Sequence, residues 1–117
     1  MDFTELAKGV EKVDREKTRL LHHLSHALVH LGRIGNVAHL VDHTPNLLTT
    51  AEGPKRREDV LYASWGLFIS LIHLMNKLDV RPEELEAMLL TYIETGKYPV
   101  KKQEEVKQDV VPSSGTA

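Results

Sequence analysis

Between Val60 and Leu78 the chain places apolar residues on almost every side of a helix: Val60, Leu61, Ala63, Trp65, Leu67, Phe68, Ile69, Leu71, Ile72, Leu74, Met75 and Leu78. At 3.6 residues per turn no single face holds that set, so a helix from about Lys55 to Leu78 has to be covered on most of its circumference. Its one polar stripe is Asp59, Ser70, His73 and Lys77 with Gly66 among them, within roughly 60° of arc. A chain of 117 residues has few other helices with which to cover the rest. Association between copies, as a homodimer or a dimer of dimers, is therefore expected to hide part of it. Trp65 reads as core or interface, and His73 as a hydrogen-bonded core residue.

The remaining elements are helical too. Phe3, Leu6, Ala7, Val10 and Val13 recur at helical spacing after Asp2 or Thr4, either of which can cap a first helix running to about Asp14. A second helix is expected over about Arg15 to Leu31, ending where Gly32 and Gly35 flank Arg33 and Ile34, with a short helix from Asn36 to about His43 after it. Thr44-Pro45-Asn46 stops that segment, and the polar stretch from Thr49 to Arg57, containing Gly53-Pro54, reads as a loop. Pro82 is placed to open a last helix, Glu83 and Glu84 suit its positive end, and Gly96 is placed to cap its other end. Leu85, Met88, Leu89, Tyr92 and Ile93 would form its buried face. The fold class is thus all-α, four to five helices, as one domain over residues 1–99 followed by a flexible polar tail over 100–117.

Composition excludes several classes of function. Aromatic residues make up only 5% of the chain, so the core falls to Leu, Val, Ile and Ala, which suits packed helices. A formal charge of -2 provides no global positive field, and binding to a nucleic-acid polymer is not expected. There is no cysteine, hence no disulfide framework and no thiol nucleophile, which fits a cytoplasmic location. No signal peptide is recognised at Met1-Asp2-Phe3-Thr4-Glu5. The apolar stretch to Met75 is broken by Ser64, Gly66, Ser70 and His73, so no membrane partner is expected. Ser25, Ser64 and Ser70 lack any motif that would make one a nucleophile, and no phosphate-binding glycine loop occurs.

Chemistry concentrates in the second helix. His22, His23, His26 and His30 fall within an arc of roughly 100°, while Leu20, Leu21, Leu24, Ala27, Leu28 and Leu31 share the other side. The reading that follows turns the leucines to the core and the histidines to a cleft, a partner or water. His22 with His26, and His26 with His30, are i,i+4 pairs able to converge on a transition metal, with Asp59 as an oxygen ligand. The alternative is a set of partly exposed histidines at a helix interface; His39 and His43 repeat the spacing on a solvated face. Lys55-Arg56-Arg57 before the long helix could grip a phosphate with the N–H groups of that helix end, or form a solvated run balanced by Glu58 and Asp59.

The order of elements, with Glu58-Asp59-Val60-Leu61-Tyr62, Lys77-Leu78-Asp79-Val80, Pro82-Glu83-Glu84 and Lys97-Tyr98-Pro99, resembles the all-α nucleotide pyrophosphohydrolases of the MazG type. The resemblance covers about Thr18 to Pro99. In that family a Glu-Glu-x-x-Glu run and a later Glu-x-x-Asp hold magnesium over a nucleoside triphosphate. Here the resemblance puts His22, His23 and His26 at the first three acid positions and Arg56 at the fourth, and only Asp59 keeps its residue type. The family's phosphate-contacting Lys and Asn would fall at Leu90 and Glu94. Magnesium favours oxygen ligands in octahedral geometry, so imidazoles replace carboxylates poorly.

Three functions are consistent with these residues. One is a MazG-like protein without hydrolytic activity that works by binding, a nucleotide included, or by oligomerisation. Another is an active pyrophosphohydrolase with Zn, Mn, Co or Ni, rather than Mg, at His22, His23, His26 and Asp59, and phosphate held by Lys55, Arg56 and Arg57. The third is a histidine-based metal or pH sensor, in which imidazoles on one stripe repel when protonated near pH 6.

Overall fold

A computed structural model describes residues 1–13 and 18–98. It has four α-helices and one 3₁₀ turn, with no strand among the described residues: α1 (Phe3–Glu11), α2 (Leu20–His43), η1 (Leu47–Thr49), α3 (Gly53–Lys77) and α4 (Pro82–Thr95). Contacts divide the chain into two compact units, Met1–Leu85 and Glu86–Ala117, with the boundary inside α4. The polar segment expected as a tail over 100–117 lies outside the described residues.

The principal packing in the first unit is α2 against α3, with α1 and η1 added to α3. The ring of His23 stacks on that of His73, with centroids 5.0 Å apart, and the ring of His30 lies against Gly66. Residue number therefore falls along α3 as it rises along α2, which makes the pair antiparallel. One face of each helix follows from that register. His23, Ala27, His30, Ile34 and Val37 of α2 meet Ala63, Gly66, Ser70 and His73 of α3, and His23, Ala27, Val37, Ala63, Ser70 and His73 are buried.

This arrangement inverts the facing expected for α2. Leu20, Leu21, Leu24, Leu28 and Leu31 are exposed, Leu28 to 59%, whereas His23 keeps only 2% of its surface in water. The reason is the radius of approach. Alanine, glycine and serine on α3 let the helices come close enough for flat imidazole rings to fill the seam, and four leucines there would push them apart. The buried apolar set is correspondingly small: Ala7, Ala27, Val37, Leu47, Ala63 and Ile72.

Nor does α2 break at its glycines. Gly32 and Gly35 each cost about 1 kcal/mol relative to alanine inside a helix, but Ile34 between them and Val37 beyond them face α3, and tertiary packing outweighs the local penalty. The expected loop over 49–57 is shorter in the structure. Gly53 already belongs to α3, and a Cβ there would strike the Leu48 carbonyl, so only glycine permits the 3₁₀ turn to abut the helix. Asp2 caps α1 by accepting a 2.9 Å hydrogen bond from Glu5 N–H. The end of α3 is a Schellman turn. Asp79 sits at φ 59°, Val80 N–H donates to the Met75 carbonyl at 2.8 Å, and Asp79 N–H donates to that of Asn76 at 3.3 Å.

In the second unit, Gly96 takes φ +70° and donates its N–H to the Tyr92 carbonyl at 2.7 Å, the expected helix cap. The face expected to be buried on α4 is open: Met88, Leu89, Tyr92 and Ile93 are exposed, and only Leu85, in the first unit, is partly covered.

A Cβ at Gly32 meets no atom within 4 Å. Gly32→Ala is therefore expected to stabilise the protein by about 0.5–1 kcal/mol, read as a rise in melting temperature; a fall would show that α2 needs a glycine break.

Candidate functional site

The antiparallel seam has two unlike flanks, and the histidine residues border one of them. His23, His26, His30 and Arg33 of α2 face Tyr62, Trp65, Gly66, Ile69, Ser70 and His73 of α3 around a cleft of about 350 Å³. Helical spacing supplies each wall: 23, 26, 30 and 33 on one helix, 62, 66, 69 and 73 on the other. Trp65, which sequence alone places in a core or interface, stands at the rim, 63% exposed, and meets Tyr62 edge-on at 6.3 Å between centroids.

Gly66 makes the cleft what it is. A Cβ at this position would strike Nε2 of His30, so hydrogen alone lets the imidazole lie across α3. His30 Nδ1 is shielded from water and has no hydrogen-bond partner, a polar atom ready to meet a donor or acceptor. The signal for this was visible as a glycine on the polar stripe of an otherwise apolar helix. Its meaning is not legible there, because periodicity alone puts His30 on the face opposite the leucines.

Asp59 is elsewhere. It lines a separate cleft of about 520 Å³ with Val29, Gly32, Arg33, Asn36, Val37 and Arg56. The register that pairs His23 with His73 and His30 with Gly66 brings Asp59 level with Val37, eleven residues beyond His26 and so about 16 Å along the axis. The proposed ligand set of His22, His23, His26 and Asp59 is thus not brought together within one chain. Among the described residues no group of three or more His, Asp or Glu is arranged to hold a metal ion. What the structure does bring together are pairs: the rings of His22 and His26 lie 4.3 Å apart, as do those of His39 and His43, all four residues being exposed.

The basic run does not converge either. Arg56 is held between acids of its own helix, 3.4 Å from Glu52 and 3.7 Å from Asp59, so its charge is answered before a phosphate arrives. Lys55 and Arg57 are exposed. The start of α3 also has little to offer an anion: Gly53 N–H donates to the Thr50 carbonyl at 3.0 Å, and Pro54 has no N–H. Leu90 and Glu94, at the positions of the resembled family's phosphate contacts, are exposed on α4 in the second unit.

No helix among the described residues is long and apolar enough to cross a membrane. Comparison of the chain with family models, curated proteins and solved structures finds no match.

The contact between His30 and Gly66 can be measured as a coupling. Gly66→Ala alone is expected to destabilise by about 1–2 kcal/mol, the clash exceeding the gain in helix propensity. In a His30→Ala background the same change should be neutral or stabilising, giving a coupling of at least about 1 kcal/mol in denaturant titrations. Additive effects would mean that the imidazole does not lie over Gly66.

Proposed function

We propose that this protein is a helical binding module, MazG-like in the order of its elements, that does not carry out magnesium-dependent pyrophosphohydrolysis. The observation that carries this reading is the separation of Asp59 from the histidines. The one acid kept at a position of the resembled metal site lies in a different cleft, beside Arg56. Two-metal phosphoryl chemistry requires several oxygen ligands within a few ångströms of one another. The cleft that remains is walled by imidazoles, an arginine and two aromatic rings. Such walls suit a small planar or anionic ligand, a nucleotide among them, held by hydrogen bonds and stacking rather than by a metal.

The test is a screen for pyrophosphate release from the nucleoside triphosphates with Mg, Mn or Co. No turnover above background is expected with any of them. Hydrolysis that disappears in the His26→Ala variant would overturn the reading.

A second reading, a transition-metal sensor, draws on the 4.3 Å separation of the His22 and His26 rings, a spacing at which two imidazoles on successive turns can share an ion. It predicts that zinc or nickel raises the melting temperature of the full chain and that His22→Ala abolishes the rise. An unchanged melting temperature removes this reading.

A further inference from the structure

The flank of the α2–α3 pair opposite the histidine cleft is apolar and uncovered, and its two ends differ in relief. We propose that two copies of this chain associate across this flank about a two-fold axis, the leucine-bearing end of each copy filling an apolar hollow at the loop end of the other. The inference goes beyond the function proposed above and uses none of the cleft residues.

Leu20, Leu24, Leu28 and Leu31 lie on α2 within an arc of roughly 80°, turned about 100° from the direction of α3. In an antiparallel pair, residues turned the same way on α3 come out on the same flank, Leu71 among them. All five are exposed. From Leu20 to Ala38 the flank runs about 27 Å, and two packed helices make it about 20 Å wide. Once side-chain relief is counted, that area approaches the roughly 800 Å² per partner of a standard stable interface. Its footprint also stands at the upper end of the roughly 300–600 Å² apolar patch a typical monomer leaves in water.

The relief selects a second copy. Toward the open end stand the bulky residues Leu20, Leu24, Leu28 and Leu71. Toward the loop end Gly35, Ala38 and Ser64 replace them, and a hollow of about 680 Å³ opens, walled by Ile34, Val41, Leu48 and Val60. Leu31 stands between the halves. Leu24 lies seven residues before it and Ala38 seven after, each about 10 Å along the axis. A two-fold axis beside Leu31 therefore brings Leu24 of one copy over Ala38 of the other, and does so twice. Ridge and hollow on one face are self-complementary in the manner that closes an isologous dimer and leaves no apolar patch to propagate. Asp42 and Arg57 border the hollow and supply a polar rim.

The chain has no cysteine of its own, so introduced thiols report without background. In the full chain, a Leu24→Cys protein mixed with an Ala38→Cys protein should give a disulfide-linked dimer under mild oxidation. Leu24→Cys alone should not, because its two copies would lie about 20 Å apart across the axis. Within one chain the same two positions are too far apart to join. By sedimentation velocity the unmodified chain should be a dimer, and Leu24→Glu with Leu28→Glu should weaken association at least about tenfold. Circular dichroism should stay unchanged, because both leucines are exposed in the single copy. A monomeric unmodified chain would overturn the proposal and assign the flank to an unlike partner. So would open-ended oligomers, or cross-linking of Leu24→Cys to itself in preference to Ala38→Cys.

Discussion

Close approach of α2 and α3 is the constraint from which the other features follow. The contact is made largely by alanine, glycine, serine and imidazole, joined by Ile34 and Val37 toward the loop end, with His23 stacked on His73 and His30 laid across Gly66. Rings are thin, and facing residues without bulk leave room for them. Once the seam is filled in this way, the leucines of α2 cannot share it and turn outward. The antiparallel register then fixes which residues meet. It places three histidines of α2 beside His73 and sets Asp59 several turns away beside Val37.

Charge is handled locally at the start of α3. Arg56 bridges Glu52 and Asp59 along one helix face, Gly53 N–H is used by the preceding turn, and Pro54 has no N–H. Such i,i+3 and i,i+4 pairs contribute little to stability when partly exposed. Their consequence is chemical: the basic run is satisfied within the helix, and the acid at Asp59 is paired with an arginine instead of waiting for a cation. The proposed loss of magnesium chemistry rests on this arrangement as much as on the substitution of histidine for glutamate.

The two flanks of the seam differ in chemistry. One is narrow, lined by imidazoles and aromatic edges; the other is broad and made of leucine with a hollow at one end. Buried apolar residues of the chain are few and mostly small, and a domain of this size has little hydrophobic stabilisation to spare. Under the proposed association the second copy supplies the covering that α1 and η1 do not, and the histidine cleft stays open on the outside of the pair.

Helical class, the end of α3, the start of α4 at Pro82 and the cap at Gly96 are written locally, in apolar spacing, proline placement and residues that accept positive φ. Proximity along the chain is enough to set them. The facing of α2 is not of this kind. Its periodicity gives two faces, one of histidine and one of leucine, and hydrophobicity ranks leucine as the inner one. The opposite outcome depends on what stands across the seam, at Ala63, Gly66 and Ser70, forty residues further on. The same holds for the continuity of α2 through Gly32 and Gly35, and for the distance between His26 and Asp59, since both are consequences of helix pairing and register. Amino-acid order settles what each segment can be, because backbone preference is local. Which side of a segment is inside is settled by steric fit between segments, and that exists only once they have met.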